Sequence, residues 1–542
     1  MSSYSQRMLV LLVLVVLTAP AAQVRADELE LDFSGRVQAD LRFGLQGVGI
    51  GEYYNRVEQA SGISRNENIV KLKLNASYGN FGAVAEVDLV LYGYNRELEG
   101  LGSLSLREEV DPFRIEVHSA YVEAFDLFID GLDMRVGQQV VSWGKGDQFN
   151  PTNTLNALDL EDPLLFGEQL ANMMVKLDYS FKDVWTITGV LVPVFKPALL
   201  PRSAKIGVAA VDRLPFVSDG LRHKVHAETA LSRQLLGPTV VNNAVPVTPE
   251  TSFENMQFAF RVAGMVVEQD IALSYYYGRT DMPQPYLNQS RQSDDKVCNP
   301  EAAASTPECV NATIQTDVYL GYPRMQVIGL NMAGQIPLDW ISNKLTAIGY
   351  RLEVGLYLPQ AAQIAMIQTT DISISPAGEY DYGKYAGPTG RPEVVSDTPF
   401  AKWALGLDYT ISPAVYANVQ WVHGFPDEYG AGDWITEGWK VQKGGVIDKA
   451  PLTTCLLDKE GTKCAEEIIR PRLGDYLVFG LDFHFLADKL LLRLFTIWDM
   501  SGMHIDTYNT TTGQRERTHY SMFTSEGFSA VLYPELNYTF GN

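Results

Sequence analysis

The chain has 542 residues, 46% of them hydrophobic and 11% aromatic, with 45 Gly, 27 Pro and 4 Cys. That composition excludes a wholly disordered, collagen-like or disulfide-dense chain. With 43 Lys and Arg against 65 Asp and Glu, the formal charge is −22. A general nucleic-acid binder needs a basic surface, so that class is excluded as well.

Residues 1–26 carry Arg7, an unbroken apolar run from Met8 to Leu17, and the small Ala26 before Asp27. This pattern predicts a secretory signal peptide cleaved after Ala26, with Ala22 as the second choice. The apolar run is well short of the roughly 20 residues a spanning helix needs. No later run reaches that length, so residues 27–542 are expected to form one exported domain without membrane helices.

The body of the chain alternates. Phe33, Val37, Ala39, Leu41 and Phe43 interleave with Ser34, Arg36, Gln38, Asp40 and Arg42. Val70, Leu72, Leu74, Ala76 and Tyr78 oppose Lys71, Lys73, Asn75 and Ser77, and Leu477, Phe479, Leu481, Phe483 and Phe485 repeat the pattern. A period of two means strands with one oily and one wet face.

Sixteen strands are expected, near 33–45, 68–79, 82–94, 114–126, 132–142, 170–180, 184–194, 255–266, 270–279, 323–336, 344–358, 401–411, 414–424, 475–486, 489–498 and 528–540. The connections then alternate strictly between short turns and long loops. Short turns at one rim, long loops at the other and an even strand count are the pattern of an up-and-down transmembrane β-barrel in the outer membrane. Closure is required because an open sheet edge is not satisfied in lipid. The expected fold class is all-β, with both termini at the periplasmic rim and a range of 14–18 strands admitted. The last strand ends on Phe540, with Gly541 and Asn542 after it.

If the oily faces meet lipid, the wet faces line the lumen. The expected lumen residues are Arg36, Arg42, Lys71, Lys73, Arg261, Arg351, Lys402 and Arg493, against Asp40, Glu86, Asp88, Glu353, Asp408 and Asp482. This nearly balanced wall predicts a watery, polar bore and does not set its ion selection. The Cys residues fall in two local pairs, Cys298 with Cys309 and Cys455 with Cys464, each inside one long loop. In an oxidising envelope that spacing favours two loop-closing disulfides among the three pairings available. Neither pair has metal-site spacing or a close His, so no metal or other cofactor is expected.

The third long loop, near 143–169, contains Trp143, Gly144, Lys145, Gly146, Asp147, Asn150 and Pro151. Asn-Pro with nearby Gly makes a fixed turn. This loop is expected to fold inward and narrow the bore, with Lys145, Asp147, Asp159, Glu161 and Asp162 lining the constriction. The alternative is a packed turn at the rim. The fourth loop, 195–254, is locally basic, with a short amphipathic helix expected over Leu221–Leu236; the readings are a plain surface excursion first, and a plug of the mouth or a contact with anionic lipopolysaccharide second. Its His223 and His226 lack the Glu and the spacing of a zinc-protease helix.

The stretch Arg135, Gly137, Gln138, Gln139, Trp143, Gly144, Asn150 and Pro151 resembles a motif of poorly characterised proteobacterial outer-membrane barrels, in which a Gly-basic-Gln strand end enters a Trp-Gly turn and an Asn-Pro loop. Here Gln138 stands where the basic residue is often found, so no role of that residue carries over. Barrels of the alginate-export type share a looser Gly-x-Gln strand. The resemblance implies a porin-like protein of the outer membrane and gives no substrate.

The leading functional expectation is a channel for polar solutes across the bacterial outer membrane. The alternatives are a gated exporter of a polysaccharide or lipid-linked product, and a loop-based receptor or adhesin. An enzyme is not expected: the chain has no GxSxG, P-loop or HExxH, and its His residues are scattered. His118 beside Ser119 is set aside because adjacent strand residues face opposite sides. The expected partners are outer-membrane lipids and lipopolysaccharide, the barrel-assembly machinery, and either a homotrimer or a periplasmic transport partner.

Overall fold

The computed structural model describes residues 29–44, 62–93, 101–146, 149–161, 167–182, 184–200, 239–292, 313–341, 347–360, 399–427, 473–501, 514–525 and 528–539. Short pieces between these stretches, mostly strands, are described as well. The signal-peptide segment, the 221–236 helix, Asp147, Asp162, Cys455 and Cys464 lie outside the described residues.

Long strands dominate: β1 Glu30–Gly44, β2 Gly62–Tyr78, β3 Phe81–Tyr92, β4 Phe113–Ala124, β5 Leu132–Gln139, β6 Asn172–Phe181, β7 Trp185–Val192 and β8 Gln257–Val266. They continue as β9 Gln269–Arg279, β10 Arg324–Ile336, β11 Ile348–Pro359, β12 Phe400–Ser412, β13 Val415–Asp427, β14 Leu473–Phe485, β15 Leu490–Asp499 and β16 Ser529–Tyr538. These are neighbours in chain order in one 16-stranded sheet. Each expected strand coincides with one of them. The chain divides into two compact units, one built on β1–β5 and one on β6–β16.

In the larger unit the alternation sorts side chains cleanly. Phe258, Phe260, Leu273, Ile328, Leu330, Leu356, Leu407, Trp421 and Leu481 share one exposed, apolar face. The opposite face carries ion pairs matched by register. Asp482 sits opposite Arg493 on β14 and β15, and the two are joined at 2.7 Å. Arg351 of β11 reaches Asp408 of β12 at 3.4 Å. Lys402 lies over the Tyr357 ring, 4.9 Å from its centroid.

The smaller unit repeats the logic. Lys71 opposes Asp88 and Lys73 opposes Glu86 across β2 and β3, at 3.1 and 3.9 Å. Arg135 pairs with Glu123 at 2.9 Å and covers the Tyr121 ring at 4.4 Å. Arg36 on β1 is exposed and donates to Gln38. Opposite signs facing each other on one wet face neutralise the wall locally.

Two expectations need correction. First, the fourth loop is not a plain excursion throughout: its Thr239–Pro246 is a strand of a second, 5-stranded sheet, with Gln284–Gln292 and Thr313–Gly321 of the fifth loop. Thr313–Gly321 pairs in parallel with Thr239–Pro246, a partnership between distant segments that local alternation does not reveal. Second, His118 and Ser119 do not alternate as adjacent strand residues should. The β3–β4 register passes from Val87↔Val117 to Glu86↔Ser119, so His118 is the extra residue of a β-bulge.

The Cys298 and Cys309 positions stand directly opposite each other in a short antiparallel ladder, Lys296–Cys298 against Cys309–Asn311. The short turn between β8 and β9 uses Val267 and Glu268, both left-handed with φ of 49° and 60°. Two successive positive φ values make the tight hairpin that suits the twist of the flanking strands.

Candidate functional site

The site is built by the segment that leaves β5 and runs to β6. Its residues Val141, Trp143 and Leu155 are buried, at 5%, 3% and 4% exposure. They pack in one cluster with Met174, Val190, Val192, Ala259, Tyr276, Val327 and Tyr357. All seven of these wall residues lie on the face opposite the exposed apolar one. That face is therefore not polar throughout. Strands β6–β11 carry an apolar seat on that face, and the third loop lies in it.

Polar contacts fix the segment in the seat. Thr152 Oγ1 donates to Glu353 Oε1 at 2.6 Å and lies 2.9 Å from Asn331 Oδ1. Asn331 Nδ2 donates to the Trp143 carbonyl at 2.7 Å. Tyr357 donates its hydroxyl to the Pro151 carbonyl at 2.6 Å, and the Gly146 N–H points at Glu353 Oε2, 3.4 Å away. Glu353 and Asn331 are each 1% exposed. Buried polar groups of this kind need partners, and the loop supplies them.

Backbone approach on this scale requires small residues on the wall. A Cβ at Gly355 would stand 3.0 Å from the Pro151 carbonyl oxygen, and one at Gly329 would stand 2.8 Å from Thr152 Cγ2. Both glycines face the Pro151-Thr152 turn and leave room for it. Within the loop, amide side chains stand in for a ladder. Asn156 accepts from the Val141 N–H and donates to the Leu170 carbonyl, both at 2.8 Å, and Asn153 accepts from the Trp143 N–H at 3.3 Å. Farther along, the Leu158 N–H donates to Asp281 at 2.8 Å; burial raises that carboxyl above the usual carboxylate range.

The expected constriction residues are distributed as follows. Lys145 reaches Asp270 near the start of β9, 3.3 Å away, and both are partly exposed. Asp159 accepts the Glu161 N–H at 3.0 Å and bridges to Leu199, so these two shape a local turn. Lys145, Arg261, Asp270 and Asn331, together with Thr186 and Glu268, line a cavity of about 550 Å³ beside the loop. Arg261 Nε is buried without a hydrogen-bond partner among the described residues, and Asp178, Glu353 and Asp270 are the carboxylates whose charge it feels. Sequence reasoning found Lys145, Arg261 and Glu353 but not Thr152, Asn331 and Tyr357. The signal for these three is tertiary: each matters because of a group distant in the chain.

The arrangement is a loop clamped onto one face of a 16-stranded sheet, beside a cavity lined by charges of both signs.

Comparison with known proteins adds a family. Among solved structures, the chain is similar to OmpT, an outer membrane protein of Vibrio cholerae. The TM-score is 0.34 and the identity 8%, over 96% of this chain and 100% of the other. It is also similar to the outer membrane channel DcaP of Acinetobacter baumannii, with TM-score 0.35 and 7% identity over 94% and 97% of the two chains. For OprB of Pseudomonas putida the TM-score is 0.30 and the identity 10%, over 88% and 89%. No curated protein matches the chain. Residues 6–343, more than half of the sequence, match the family described as "Protein of unknown function (DUF1302)", and the chain belongs to that family.

Proposed function

We propose that this protein is a channel of the bacterial outer membrane. Its strands close into one barrel, and the segment near 143–169 narrows the bore through which polar solutes pass. The observation that carries this reading is the clamp of Thr152 on Glu353, backed by the apolar seat. It holds the third loop on the face opposite the exposed apolar surface. An exposed apolar face and a polar opposite face are what a sheet needs between lipid and water.

Aromatic residues support the same orientation. Trp403 and Trp421 meet edge to face at 5.6 Å, and Trp498 meets Phe479 at 5.3 Å and Phe528 at 6.3 Å, all near the long-loop ends of their strands. Tryptophan at that level suits the membrane–water interface. Lys145, with Asp159 and Glu161 farther along the loop and Arg261, Asp270 and Glu353 on the wall, sets the charge met by a solute.

The test is the current carried by residues 27–542, refolded and inserted in a planar bilayer. Steady unitary openings support the channel. A well-inserted protein that passes no current under any voltage contradicts it.

A further inference from the structure

We propose that the polar face of β3 and β4 holds a divalent cation of the zinc class on Asp88, Glu116 and His118. This site lies in the smaller unit and does not depend on the channel reading. One ligand atom from each residue lies within 4.8 Å of the other two. Glu116 stands opposite Asp88 in the β3–β4 register, and His118, two residues farther along β4, shares that face. His118 Nε2 comes to 3.1 Å from Asp88 Oδ2 and 3.7 Å from Glu116 Oε2.

Two buried atoms lack the hydrogen bonds that would explain the cluster as ordinary wall chemistry. The Asp88 side chain is 3% exposed, yet its Oδ1 has no hydrogen-bond partner among the described residues. His118 Nε2, for all its closeness to two carboxylates, makes no hydrogen bond among them either. A buried carboxylate oxygen left without a donor loses its water and gains nothing in return, so such an atom calls for a ligand. One imidazole nitrogen with two carboxylates is a zinc donor set, whereas calcium and magnesium take oxygen alone. Glu116 and His118 are 30% and 42% exposed, which leaves a coordination position open to water.

Lys71 is the built-in competitor. Its Nζ lies 3.1 Å from Asp88 Oδ2, and its side chain is 33% exposed, with room to swing aside when a metal takes the carboxylate. Arg114 holds the other oxygen of Glu116 and orients that ligand.

The test adds Co²⁺, then competing Zn²⁺, to residues 27–542 folded in detergent micelles, and reads the d–d absorption of bound cobalt. The wild type is expected to bind Co²⁺ and release it to Zn²⁺. His118→Ala is expected to bind about 10–100-fold more weakly, and Lys71→Met several-fold more tightly. Where His118→Ala does not fold, Glu116→Gln replaces it with the same expectation. A wild type without a cobalt signal overturns the proposal. So does a signal of equal strength in the wild type and the ligand variant, which would place the metal on other residues.

Discussion

Thr152 donates a 2.6 Å hydrogen bond to Glu353, a residue 201 positions later in the chain and 1% exposed. A carboxylate so deeply covered on the polar face of a sheet is tolerable only because the loop brings donors to it. The loop and the wall therefore stabilise each other.

Thr152→Ala removes the donor and leaves Glu353 covered. The loss is expected to be about 1–3 kcal/mol, read as a lower guanidinium midpoint in detergent, while Thr152→Ser holds the wild-type value. Equal midpoints for the alanine variant and the wild type would mean that the contact contributes nothing.

Gly329→Val fills the space the loop turn occupies, since its Cβ would already crowd Ser274 and Thr152 Cγ2. Overpacking of this kind typically costs roughly 1–3 kcal/mol, and the side that yields is the loop. The variant is expected to expose Trp143, seen as red-shifted, quenchable fluorescence. An unchanged spectrum and unchanged quenching would show that the seat accommodates the extra bulk without releasing the loop.

Lys145 and Asp270 face each other at 3.3 Å with side chains 37% and 50% exposed, so their pairing adds little to stability. Its effect is expected on the solute path instead. Lys145→Ala should move the reversal potential in a salt gradient toward cation preference, and Asp270→Asn toward anions. Identical potentials in all three proteins would remove this pair from the path.

The ladder that sets Cys298 opposite Cys309 predicts a disulfide between them in protein from an oxidising compartment. Unreduced digestion should yield the two cysteine peptides as one mass that splits on reduction. Two separately alkylated peptides would contradict the pairing.

The strands are readable from sequence because each has one lipid-type face, and a period of two survives without knowledge of partners. The bulge is not readable: one inserted residue at His118 leaves the apolar rhythm of Ile115 and Val117 intact and shifts only the register from Ser119 onward. The apolar seat is hidden for a different reason. In β7, Trp185, Ile187 and Leu191 alternate with Val190 and Val192, so both faces are oily and neither announces which one receives the loop. Glu353 is legible as a group of the polar face, but its covering by Thr152 is a contact between distant segments. Alternation carries no information about such contacts. The strands inside the long loops stay unread for the same reason, because Thr313–Gly321 finds its parallel partner far upstream.

The decisive measurement for the channel is the single-channel conductance of the wild type against a variant lacking residues 146–162, each folded and inserted in a planar bilayer. That deletion removes Pro151, Thr152 and Leu155 from the seat. A constricting third loop predicts steady wild-type openings and a clearly larger unitary conductance in the shortened protein. Equal conductances would show that the third loop does not narrow the path.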